Sequence, residues 1–173
     1  MRLYTVGHGN LGIDSFLGIL AENHVDWVAD VRSAPYSRMF PWFNKNELAQ
    51  SLEDAGIRYA FLGQQLGGKP REEEAAAEWK QGRLNYELVS SLGRTKRWAD
   101  GIDALVTLVK STDDDGETGC LLCSEKDPNA CHRSLVSFNV ENALPGLSVM
   151  HLGHDSSVRE AKFQESMFVM SDD

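Results

Sequence analysis

The stretch LLCSEKDPNACHR, residues 121–133, decides how this chain is read. It begins as an apolar run of strand length and turns within a few positions into Cys, Glu, Lys, Asp, Cys, His and Arg. Asp127-Pro128 signals a helix start, with Asp as N-cap and Pro at the first helical position. The helix that follows carries Leu135, Val136, Phe138 and Val140 as its apolar stripe. A surface loop needs solubility, not two thiols, an imidazole and a guanidinium together. The stretch therefore reads as strand, polar site wall and helix, with the chemistry at the strand's carboxyl end.

The same unit recurs outward from there. Residues 3–6 are apolar and end in Gly7-His8-Gly9; a helix capped by Asp14 follows to about Glu22, with Phe16, Leu17, Ile19 and Leu20 inward. Residues 27–31 form a second buried strand ending in Asp30-Val31-Arg32. SAPYSRMFPWFNKNE, residues 33–47, reads as a long structured loop. Asn44 with Glu47 gives a capping-box-like start, and Gly56 suits the left-handed stop of that helix. Residues 57–62 make a third strand before GQQLGGKP. Residues 71–94 read as mostly helical, anchored by Trp79, Leu84, Tyr86 and Leu88. A helix over about 95–110 turns Trp98, Ile102, Leu105, Val106 and Val109 inward. Residues 120–123 and 147–152 are the fourth and fifth strands, the last ending in His151, Gly153 and His154.

Strands alternating with helices predict an α/β fold. The expectation is a single three-layer domain over residues 1–155, with a mostly parallel central sheet of about five strands and helices on both faces. Residues 156–173 are expected to form a C-terminal helical tail with Val158, Phe163 and Met167 on one side.

A chain of 173 residues fits one domain with a real core. Its net charge of −9 argues against bulk nucleic-acid binding, which draws on a cationic surface. No apolar run approaches the roughly 20 residues of a membrane span, and the N-terminus reads as a strand rather than a signal-peptide core. The expectation is a cytoplasmic protein with no membrane partner. Cys120, Cys123 and Cys131 are odd in number and fall in one short segment, unlike a secreted disulfide scaffold.

If the five strands are parallel, their polar clusters meet at one edge, where open α/β sheets bind ligands. His8, Asp30, Glu125 and His132 are candidate proton-moving groups. Cys131 is a candidate nucleophile, since a helix start beside Arg133 lowers a thiol pKa. Arg32, Arg38, Lys69 and Arg133 are candidate anion ligands, and Gly67 and Gly68 permit close backbone approach. Each has a plainer alternative. Asp30 and Arg32 share a face and suit an internal brace. The loop aromatics Tyr36, Phe40, Trp42 and Phe43 suit base stacking or a plug over the sheet edge.

Cys120 and Cys123 lie an odd number of steps apart on a strand, so they point to opposite faces and do not share a metal. Cys123, Cys131 and His132, with Glu125 near, form the remaining metal-ligand set. No metal is required by the pattern, and a divalent one is compatible with it. GGKP lacks the Walker spacing. Arg133 is ten positions after Cys123 and two after Cys131, neither of which suits a tyrosine-phosphatase-like or rhodanese-like loop.

TVGHGN, VADVRSAPYSR, GIRYAFLGQQLGGKP and LLCSEKDPNACHR resemble, in order, the signature segments of an uncharacterised, mostly prokaryotic family, domain of unknown function 488. The resemblance covers roughly residues 3–152. It implies a single α/β domain and no established reaction. The residues themselves favour an anion-binding site acting on a small phosphorylated or nucleotide-like ligand, with hydrolysis or phosphodiester cleavage as the first reaction class. The alternatives are a non-catalytic nucleotide-, anion- or partner-binding module, and a metal- or thiol-dependent protein using Cys123 and Cys131. Oligomeric state leaves no signal in the sequence.

Overall fold

A computed structural model describes residues 1–69 and 91–162. Six strands make one sheet: β1 (Arg2–Gly7), β2 (Trp27–Asp30), β3 (Arg58–Phe61), β4 (Gly119–Cys123), β5 (Ser148–Leu152) and β6 (Val158–Glu160). Their spatial order is β3-β2-β4-β1-β5-β6. The first five run parallel, so their carboxyl ends share one edge, as expected. Only β6 is antiparallel, pairing Leu152 with Val158. The α-helices bounded within the described residues are α1 (Ile13–Glu22), α2 (Lys45–Asp54), the single turn α3 (Gly63–Leu66), α4 (Lys96–Asp113) and α5 (Arg133–Ala143).

Side-chain alternation along the strands splits the core in two. Leu3, Trp27, Ala29, Leu121 and Val149 pack on one face against Trp98 and Leu105 of α4 and Leu135 and Val136 of α5. Tyr4, Val6, Val28, Cys120 and Leu122 pack on the other against Phe16 and Leu20 of α1 and Leu48 and Leu52 of α2. Helices covering both faces explain why β4 is buried at every position and why its sequence runs apolar without alternation. The three-layer expectation holds. No helix among the described residues is long and apolar enough to cross a membrane.

Four local expectations change. Asp14 is the second residue of α1, and Gly12 sits at its N-cap without a side-chain bond. Asn44 does occupy the N-cap of α2, but its side chain accepts from the Ser37 N–H at 2.7 Å and so ties the preceding loop instead. Asp127 and Pro128 start a single 3-10 turn, Pro128–Ala130, with the Asp127 carboxylate accepting from Asn129 N–H. Extended backbone at Cys131 (φ −136°, ψ 137°) breaks the chain there, and α5 begins only at Arg133.

The fourth change concerns the tail, which returns as β6 before any helix. Gly153 N–H donates to Ser157 O at 2.7 Å, and Asp155 accepts from the Ser157 hydroxyl at 2.6 Å. That turn folds the chain back along β5. The helices expected over residues 71–94 and beyond 162 fall largely or wholly outside the described residues.

Candidate functional site

The shared edge carries three polar regions, two of them on opposite faces of the sheet. On the α1/α2 face, Asp30 is fully buried and accepts from Arg32 Nε at 2.9 Å, Arg32 Nη2 at 2.6 Å, Arg32 backbone N at 3.0 Å and the Tyr59 hydroxyl at 2.8 Å. Arg32 Nη1 donates to Phe43 O at 2.8 Å and lies 3.4 Å from His8 Nε2. His8 Nδ1 is 2.9 Å from Gly9 O; a carbonyl only accepts, so Nδ1 carries the proton and Nε2 turns its lone pair to Arg32. Burial, then the Arg32 charge, lower the His8 pKa to about 4. Burial and Asp30 push the Tyr59 phenol up. His8 also stacks on Phe43 at 4.2 Å.

This network is buried and internally satisfied, which is what an internal brace requires. It fastens the residue 33–47 loop to the ends of β1 and β2. The loop aromatics cover the same edge: Phe43 is fully buried, Trp42 Nε1 donates to Leu11 O at 2.9 Å, and Phe40 meets Trp42 edge-on. Tyr36, Arg38 and Met39 stay exposed.

On the opposite face, Cys123 closes β4, and Cys131 and His132 follow the 3-10 turn. Cys120, three positions before Cys123, lies in the other core, as the strand geometry requires. The ligand atoms of Cys123, Cys131 and His132 lie within 4.8 Å of one another. His132 Nε2 is 2.9 Å from Val31 O, and its Nδ1 is 3.7 Å from Cys123 Sγ. Burial pushes the Cys131 thiol up, but the hydrogen bond from Cys123, the neighbouring His132 and the Arg133 charge outweigh it and hold the thiol well below its ordinary value. Cys123, hydrogen-bonded to Cys131 and buried, is held well above.

Gly67 and Gly68 are packed against Ser33 and His132, so that a Cβ at either would collide with them. Their smallness serves this close packing. Lys69 is exposed, and its backbone N–H donates to Ser33 Oγ at 2.8 Å. Arg133 is 1% exposed, and its guanidinium donates to the carbonyls of Glu125 and Lys126. It closes the β4 loop onto α5, while its Nε has no hydrogen-bond partner among the described residues. The Glu125 residue is exposed and lies outside the thiol–imidazole cluster.

The third region is a cleft of about 930 Å³. One wall is Lys126, Asp127, Pro128 and Asn129, from the stretch that opened the sequence reading. The other includes His151, His154, Arg159 and Lys162. His154 Nε2 is 2.7 Å from Gly7 O and so carries the proton, leaving Nδ1 as the acceptor. His151 Nδ1 meets the buried Thr5 hydroxyl at 2.7 Å. Burial, then the Arg133 charge, lower the His151 pKa to about 4. The four residues of this second wall were not among the sequence candidates. His151 and His154 are visible as imidazoles at a strand end; Arg159 and Lys162 were hidden by the helical reading of the tail.

The family model described as domain of unknown function DUF488 matches residues 12–138. The chain belongs to this family. The match takes in Asp30, Arg32 and the thiol–imidazole cluster. In this DUF488 protein the matched region supplies one wall of the cleft, residues 126–129, and the larger share comes from β5, β6 and the turn between them. No curated protein and no solved structure matches the chain.

Proposed function

We propose that this DUF488 protein is an enzyme that holds a small phosphorylated or nucleotide-like molecule in the cleft and hydrolyses it by acid–base catalysis. The observation that carries the reading is the pair of imidazoles, His151 and His154, opening on a cleft of about 930 Å³ at the carboxyl edge of a parallel sheet. Lys126, Arg159 and Lys162 supply positive charge; Asp127, Asp155 and Glu160 oppose it. A formally balanced cleft favours a ligand with both an anionic group and hydroxyl or amine donors over a bare anion. His154, with Nδ1 free to accept a proton, is the general base, and His151 enters as the neutral imidazole. Arg133, buried, holds one wall of the site through the carbonyls of Glu125 and Lys126 and lends its charge, whereas Arg32 braces the α1/α2 face.

The test is product release from a panel of phosphomonoesters, nucleotides and phosphosugars. Wild type is expected to turn over one class, His154→Asn to lose about 10²-fold or more in kcat, and Lys126→Ala to raise KM. Equal rates for wild type and His154→Asn would overturn the assignment. One observation favours a second reading, a binding module without turnover: a His151 pKa near 4 makes a weak base at neutral pH. Saturable binding in the cleft with no product would decide for that module.

A further inference from the structure

The cluster on the α4/α5 face is not used by the cleft chemistry. Its two sulfurs are buried, Cys123 at 4% and Cys131 at 1% exposure. The chain brings them together from two elements, the last position of β4 and the extended residue after the 3-10 turn, and sets His132 at the start of α5 beside them. We propose that Cys123, Cys131 and His132 bind one transition-metal ion of the zinc class.

Three independent features converge on this. The first is the donor set: two thiols and one imidazole are the soft ligands that select zinc over magnesium or calcium. The second is spacing. A tetrahedral ion about 2.3 Å from sulfur and about 2.0–2.1 Å from nitrogen separates those two ligands by about 3.6 Å. Cys123 Sγ and His132 Nδ1 stand 3.7 Å apart. The third is the outer contact. His132 Nε2 donates to Val31 O at 2.9 Å, which fixes the proton on Nε2 and leaves the Nδ1 lone pair facing the cysteines. A ligating histidine is oriented in this way.

Gly68 completes the arrangement. Its missing side chain admits the His132 ring, and a Cβ there would strike ring atoms directly. No positive φ is involved, so the glycine answers to contact rather than to backbone strain. Gly68 is thus a positioning residue for the imidazole. Three protein ligands leave a fourth tetrahedral position for water, substrate or a further residue of the chain. The proposal does not rest on the cleft reading.

The test uses the full chain, reduced and stripped with a chelator, then titrated with Co²⁺ and with Zn²⁺ against a chromophoric competitor. Expected are one ion per chain, a sulfur-to-cobalt charge-transfer band and the intense visible bands of a tetrahedral site, bleached by Zn²⁺. Cys131→Ser should weaken that charge-transfer band, His132→Ala should lower affinity at least 10-fold, and Gly68→Ala should lower it with both thiols intact. Circular dichroism of each variant separates ligand loss from unfolding. The wild-type protein answers even if every variant unfolds: with the buried thiols opened by mild urea, bound Zn²⁺ must slow alkylation of Cys123 and Cys131 more than that of Cys120. Substoichiometric binding, a cobalt spectrum without thiolate character, or equal alkylation with and without Zn²⁺ overturns the site. Because the readouts are metal content and spectra, failure here leaves the hydrolysis assay untouched, and failure there leaves this one untouched.

Discussion

At Asp30 four hydrogen bonds converge on one carboxylate that no solvent reaches. Removing it strands the Arg32 guanidinium in the interior, and breaking such a pair costs about 3–5 kcal/mol. Asp30→Ala is therefore expected to lower Tm by roughly 10 °C, read by thermal denaturation; a loss under about 1 kcal/mol would contradict the brace. His8 belongs to the same network, and its folded pKa of about 4 lies below the ordinary 6.5. Between those values the unfolded chain binds the proton and the folded one does not. Stability from neutral His8 is thus complete above about 6.5 and drains away as pH falls toward 4, by about 2 kcal/mol between pH 7 and 5. Replacing it, as in His8→Asn, should flatten the Tm profile over that window. His151 is shifted in the same direction and adds to the slope. The sequence did place Asp30 and Arg32 on one face, and their pairing was foreseeable. That His8 and Tyr59 close the network was not, because it depends on the register of β1 and β3 about that pair.

Elements were legible where burial is continuous. Parallel strands covered on both faces have nothing polar to display, so β2 and β4 stand out as apolar runs. The start of α4 was equally plain. Thr95 caps it by accepting from Trp98 N–H at 3.2 Å, and Thr95→Ala should cost about 1 kcal/mol in urea denaturation without changing the m-value. Legibility failed where one local signal serves two structures. Asp-Pro opens a 3-10 turn as readily as an α-helix, and the choice is made by Cys131, drawn into the buried cluster in extended form. The strand β6 has three exposed residues and no apolar pattern; only the Asp155–Ser157 turn sends it back along β5. Ser157→Ala removes the hydroxyl bond to Asp155, leaving the backbone N–H of residue 157 to hold the turn at 3.2 Å, and should raise amide exchange across β6 with little effect on β2.

For the whole molecule, the prediction that every polar cluster gathers at one edge followed from parallel strands alone. Which face each cluster takes did not follow, since that is set by the phase of alternation at each strand's last residue. Asp30 points to the α1/α2 side and Cys123 to the α4/α5 side. The edge is therefore divided into a brace, a thiol–imidazole cluster and a cleft, and two of the four cations expected to greet an anion, Arg32 and Arg133, are spent inside the fold while Arg38 and Lys69 stay exposed. The most direct test is a ¹H–¹⁵N NMR titration of the full chain with inorganic phosphate and then with a nucleoside monophosphate. The account predicts shifts concentrated at residues 126–129 and 151–162, larger with the nucleotide, and abolished in a Lys126→Ala/Arg159→Ala variant. Shifts centred instead on Tyr36, Arg38 and the residue 33–47 loop, or none at either ligand, would contradict it.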